Sequence, residues 1–102
     1  MSPQEIRPPG ESYRGRHHVY ATRKREWEKL CQSRPAVMER VYRELADTPY
    51  PRTYAGRHHR MAGRLREFWE FEVGGGERVR YRRGEDGDPV VVYAGPAPPD
   101  TH

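Results

Sequence analysis

Three arginines alternate in RVRYR, at Arg78, Arg80 and Arg82, and two glutamates alternate in WEFEV, at Glu70 and Glu72. Alternation is the period of a β-strand, so each set belongs to one face of its strand. Guanidinium groups are permanently charged planar forks that match phosphate oxygens, and carboxylates can pair with them or take up protons. The glycines at 74–76 separate the two runs and read as a hairpin turn that brings the sets together. Keeping the apolar residues of both strands on one face pairs even positions with even, and one such register sets Glu72 opposite Arg80 and Glu70 opposite Arg82. One reading is a ladder of cross-strand ion pairs, each worth about 0.2–1 kcal/mol. The other is that Arg78, Arg80, Arg82 and Arg66 outnumber the carboxylates and leave guanidinium groups for phosphate. Phe68, expected on the same face, is placed to stack a base.

The preceding stretch, 50–63, reads as a long loop carrying Arg52, Arg57, His58, His59 and Arg60, with Arg64 just beyond. Long loops often carry function, and these residues are expected near the same strand edge. The adjacent pairs His17-His18 and His58-His59 lack the i, i+4 spacing of a helical zinc motif, and Cys31 is the only cysteine, so no metal site is expected. The GEDGD run lacks the rest of a calcium loop, and the triple glycine does not join a strand to a helix as a phosphate loop does. No G-x-S-x-G is present.

These residues belong to a chain of 102, the length of one domain with a small core. Nineteen basic residues against fifteen acidic ones give a net charge of +4, and all but Lys24 and Lys29 of the basic residues are arginines. One cysteine excludes an internal disulfide. No stretch approaches the apolar length of a membrane-spanning helix, and MSPQEIRPPGESY has no apolar signal region, so a cytoplasmic protein is expected.

Residues 1–16, rich in Pro and Gly, read as a flexible tail, 17–95 as the folded domain and 96–102 as a short irregular tail. A short strand is expected at 18–21. Trp27, Leu30 and Cys31 mark the apolar face of a first helix capped by Thr22. Val37, Met38, Val41, Tyr42 and Leu45 mark a second, capped by Ser33 and opened by Pro35. Residues 64–73 read as a strand with Leu65, Trp69, Phe71 and Val73 inward. RVRYR and PVVVY complete an antiparallel meander. The expected class is α+β in two layers: an antiparallel sheet, in the order strand–helix–helix–strand–strand–strand, with a helical hairpin on one face. Cys31, Trp27, Tyr42, Trp69 and Tyr81 are expected in the core.

Over about 19–93 the chain resembles the RelE/ParE superfamily of bacterial toxin–antitoxin toxins. The resemblance rests on the opening strand, the hairpin ending RELADTP, the strand GRLREFWEFEV, and then RVRY and PVVVY, which puts Arg78 and Tyr81 at the family's matching positions. It implies a compact RNase-like fold and, for the RelE-type branch, a toxin that cleaves messenger RNA in the ribosomal A site without metal or other cofactor. In that chemistry the 2′-hydroxyl attacks the adjacent phosphorus. The resemblance implies Arg78 and Arg80 as the phosphate cations, with a base and acid drawn from Glu70, Glu72, His58, His59 and His102. His102 stands where the family often ends in His or Tyr. Arg57, His58, His59, Arg64, Arg66, Phe68 and Arg82 are the expected RNA contacts. The implied partners are a cognate antitoxin, the ribosome and message, with no membrane. RelE itself carries basic residues where this strand has Glu70 and Glu72. Two alternatives follow from the same resemblance: a non-catalytic gyrase inhibitor of the ParE type, and a family member that only binds RNA or protein.

Overall fold

The computed structural model describes residues 2–10, 13, 15–52 and 57–97. Its elements are β1 (Gln4–Glu5), β2 (Tyr20–Ala21), α1 (Lys24–Ser33), α2 (Pro35–Asp47), β3 (His58–Arg60), β4 (Phe68–Gly74), β5 (Glu77–Arg83) and β6 (Pro89–Pro96), with a 3₁₀ turn at Gly63–Leu65. The strands form one six-stranded sheet in the order β1-β2-β6-β5-β4-β3. The α+β class and the helical hairpin are as expected. The sheet, however, is mixed rather than antiparallel: β2 pairs parallel with β6, a pairing no tight turn can make, and the chain reaches it only after the two helices and the strands β3, β4 and β5. No helix among the described residues is long and apolar enough to cross a membrane.

The two helices form because their apolar residues repeat at helical spacing. Trp27, Leu30 and Cys31 of α1 and Met38, Val41, Tyr42, Leu45 and Ala46 of α2 are buried. The break falls at Arg34, since a residue before proline is driven out of the helical region. Neither expected side-chain cap forms. Thr22 Oγ1 reaches the Val91 carbonyl and Ser33 Oγ the Leu30 carbonyl instead, and the capping positions are Arg23 and Arg34. The helices cover the sheet face that presents Trp69, Phe71, Val73, Val79, Tyr81, Val91 and Ala94, and the core lies between the layers. Cys31, Trp27, Tyr42, Trp69 and Tyr81 all belong to it.

Residues 4–7 of the expected tail belong to the fold. Gln4 and Glu5 add an edge strand to β2, Ile6 is fully buried, and its amide donates to the Val19 carbonyl at 2.9 Å. The Trp27 indole N–H holds the Arg7 carbonyl at 2.9 Å. A single buried isoleucine and a sheet edge in need of a partner order a segment whose composition alone reads as loose. At the other end, β6 runs through Pro96, the residue assigned to the start of the irregular tail.

Candidate functional site: the arginine face of the sheet

The expected loop at 50–63 contains a strand. β3 pairs antiparallel with β4, aligning His58 with Phe71, His59 with Glu70 and Arg60 with Trp69. The expected strand at 64–73 begins only at Phe68. Leu65 is not a core residue, and Arg64 and Arg66 stand exposed on and beside the 3₁₀ turn. Arg66 is therefore not on the arginine face; its carbonyl accepts from Arg60 Nε at 2.6 Å. The positive φ at Gly63 turns the chain there, and strand alternation does not extend through such a turn.

β4 and β5 pair with Phe68 opposite Arg82, Glu70 opposite Arg80 and Glu72 opposite Arg78. Even positions pair with even, but two residues away from the expected register. The turn has Gly75 and Gly76 at its centre, both at positive φ, with an irregularity at Val73. That two-residue loop sets the alignment. The consequence is chemical. Glu70 accepts from Arg80 Nη2 at 3.3 Å and faces Arg78 Nε at 3.6 Å, so one carboxylate lies between two guanidinium groups. Glu70 is 3% exposed and Arg80 6%, although both point away from the helices. Both sit on the inner strands of the sheet, where neighbours flank them on either side.

The same face extends across the sheet in rows. His59 (β3), Glu70 (β4), Arg80 (β5) and Tyr93 (β6) make one row, and Phe68, Arg82, Val90 and Tyr20 the next. Tyr93 is the residue that sequence reasoning missed. A one-residue bulge at Val92 lets both Val91 and Ala94 face the helices and moves Tyr93 to the arginine side; strict alternation would put Tyr93 with Val91. Bulges commonly re-aim a side chain beside a functional site. Beyond Arg82 the face opens into a hollow of about 410 Å³ lined in part by Tyr20, Arg82 and Val90.

His58 is withdrawn from this face. It is 3% exposed on the helix side, with Nδ1 at 3.2 Å from Glu44 Oε1 and Nε2 against the Tyr81 hydroxyl, which also reaches the Pro49 carbonyl. Neutral imidazole donates from Nδ1 to Glu44 and takes the shared Tyr81 proton at Nε2. Burial pulls the His58 pKa below the ordinary histidine value, against the raising pull of Glu44, and pushes the Tyr81 phenol well up. His58 is thus a satisfied core histidine rather than an RNA contact. Its position on the Phe71 side of β3 was hidden because the stretch read as loop.

Arg57, just before β3, is exposed, its carbonyl accepting from the Glu72 amide at 2.7 Å and its Nη1 reaching the Val73 carbonyl at 3.5 Å. His102 lies outside the described residues. Of the site residues expected from sequence, the structure therefore brings together Arg78, Arg80, Glu70, His59, Arg82 and Phe68. It leaves Arg57 on the helix side beside Val37, Arg40 and Glu44, Arg64 and Arg66 off the face, and His58 beneath it. Compared with protein-family models, curated proteins and solved structures, the chain matches none.

Proposed function

We propose that this protein is a RelE-type toxin, a ribosome-dependent endoribonuclease held in check by a cognate antitoxin in the cytoplasm. The single observation that carries the reading is the row His59–Glu70–Arg80–Tyr93 with Arg78 beside it: proton-transfer groups flanking a pair of guanidinium groups on one face. The RelE-like topology belongs to the same proposal, supported by the helical hairpin that follows a short strand and precedes the β4-β5-β6 meander.

Cleavage by the 2′-hydroxyl needs three things. A base removes the hydroxyl proton, cations stabilise the dianionic phosphorane, and an acid protonates the departing 5′-oxygen. Glu70 is the base in this account. At rest its carboxylate is shielded between Arg78 and Arg80. A substrate phosphate competes for the same N–H donors, draws the guanidinium groups onto its own oxygens and releases the carboxylate toward the 2′-hydroxyl. Arg80 and Arg78 then hold the phosphorane, and His59, next to Glu70 in the row, supplies the proton to the 5′-oxygen. The products are a 2′,3′-cyclic phosphate and a 5′-hydroxyl. Phe68 and Arg82 lie one row away, where a neighbouring base and phosphate are held.

Induced expression tests the reading. Growth arrest accompanied by new codon-phased message ends, both lost in Arg78→Ala/Arg80→Ala, supports it. Arrest with intact message and gyrase-dependent DNA damage would replace it with a gyrase inhibitor, and folded, abundant protein without arrest with a binding protein.

A further inference from the structure

The strand arginines are not equivalent. Glu70 lies between Arg78 and Arg80, whereas Arg82, one row on, has no ion-pair partner among the described residues. Its row leads into the hollow of about 410 Å³. Val90 is 5% exposed and pairs with Arg82 on one side and Tyr20 on the other, so it floors the hollow between them. The remaining wall is the β5–β6 turn, which contributes Glu85, Asp86 and Asp88.

That turn holds its shape. The Gly84 amide donates to the Asp88 carbonyl at 2.9 Å, the Gly87 amide donates to the Gly84 carbonyl at 3.0 Å, and Gly87 takes the positive φ the bend requires. Asp88 is fixed further by His17, whose Nδ1 lies 2.9 Å from Oδ1. The acidic side chains share one space with Tyr20. Burial raises the pKa of its phenol, and the charges of Glu5, Asp88 and Asp86 raise it further.

These walls select their occupant. The hollow is far larger than an ion, and the carboxylates do not group as a metal site among the described residues. It suits a planar body that lies over Val90 against the Tyr20 ring and turns N–H donors toward Asp86 and Asp88. An unpaired nucleobase is such a body. Among the four bases only guanine sets two donors side by side, N1–H and the exocyclic amino group. Adenine and cytosine place a ring acceptor beside their amino group, and uracil flanks its one N–H with two carbonyls that the carboxylates repel. Two residues along β5 advance about 6.6–6.8 Å, the length of one nucleotide in an extended strand. A strand whose cleaved phosphate lies at Arg80 therefore brings the next nucleotide to Arg82 and the hollow.

We infer that the hollow between Tyr20, Arg82 and the Asp86–Asp88 turn is a base-reading subsite that takes a guanine next to the cleaved linkage. The inference rests on the RNA-cleaving reading above and deepens it. Tyr20 stacks the base, Asp86 and Asp88 accept from N1–H and the amino group, and Arg82 holds the phosphate of the same nucleotide.

Short labelled oligouridines, made uncleavable by 2′-O-methylation and carrying guanine, inosine or uracil at one position, test this by fluorescence anisotropy. The guanine strand is expected to bind about 5- to 150-fold more tightly than the uracil strand. Inosine, a purine without the amino group, is expected to fall between them, a comparison that needs no variant. Asp86→Asn/Asp88→Asn keeps an acceptor for His17 and is expected to bring the guanine-to-uracil ratio close to one. Lost negative charge alone would tighten both strands together and leave that ratio unchanged. Equal binding of guanine and inosine by the unaltered protein, or an unchanged ratio in the double variant, overturns the subsite; binding that is still lost in Arg78→Ala/Arg80→Ala then leaves the parent reading standing. No binding of any strand overturns both.

Discussion

Glu70→Gln separates the roles combined in one carboxylate. Glutamine is nearly isosteric and keeps an acceptor for Arg80 Nη2, but it removes the charge that faces Arg78 at 3.6 Å and Arg80 at 3.3 Å. Both partners of the closer pair are under a tenth exposed, so solvent screens it little. Removing the side chain altogether would break a buried ion pair outright, at about 3–5 kcal/mol. Retaining the acceptor limits the loss to that of a charge-assisted hydrogen bond, about 1.5–3 kcal/mol. At 4–8 °C per kcal/mol for a domain of this size, that is a fall in melting temperature of roughly 6–24 °C. Two other observables move in opposite directions. The face gains one net positive charge and loses the carboxylate that competes with phosphate for Arg78 and Arg80, so RNA binding tightens. The base is lost, so cleavage falls by about 10²–10⁴. Circular dichroism melts, anisotropy with an uncleavable RNA and single-turnover cleavage on translating ribosomes read the three effects. Wild-type cleavage in the folded variant, or RNA affinity no higher than wild type, would refute the role given to Glu70.

Other perturbations probe the frame. Ile6→Ala empties a fully buried site and is expected to cost about 2–5 kcal/mol by thermal melting; a change within error would mean the N-terminal segment does not belong to the core. Because burial lowers the His58 pKa, the unfolded chain binds the proton that the folded chain refuses. Stability therefore falls as pH drops below about 6.5 toward the folded pKa, and His58→Gln flattens that slope in melts between about pH 7 and 5.5. The Cys31 thiol is buried and its pKa is pushed up to about 12, so alkylation of native protein should be slow and accelerate on unfolding; rapid native labelling would contradict this.

Helix positions were legible because Trp27, Leu30 and Cys31, and then Met38, Val41, Tyr42 and Leu45, repeat at a spacing that only one helix face satisfies. The arginine face was legible from alternation in RVRYR. The partners of those arginines were not, because register depends on the irregularity at Val73 and the two-glycine loop, and either moves the alignment without changing the pattern. Tyr93 was hidden by the bulge at Val92, which overrides alternation in a run where every residue is apolar or aromatic. His58 and His59 are chemically identical neighbours that pairing with β4 sends to opposite faces, and a three-residue strand leaves too little pattern to show it. Ile6 was a lone aliphatic among prolines, and its burial depends on a groove made by residues far along the chain.

The central claim is that the Arg78–Arg80–Glu70 cluster cleaves message. Its most direct test is purified protein added to ribosomes translating a defined message, with both new ends characterised chemically and Arg80→Lys as the comparison, since lysine keeps the charge and loses the fork. The account predicts 5′-hydroxyl and 2′,3′-cyclic phosphate ends in the presence of the unaltered protein, and at least a hundredfold slower appearance with Arg80→Lys, about the loss of one oxyanion donor. Intact message in the presence of folded protein, or equal cleavage by the lysine variant, would contradict it.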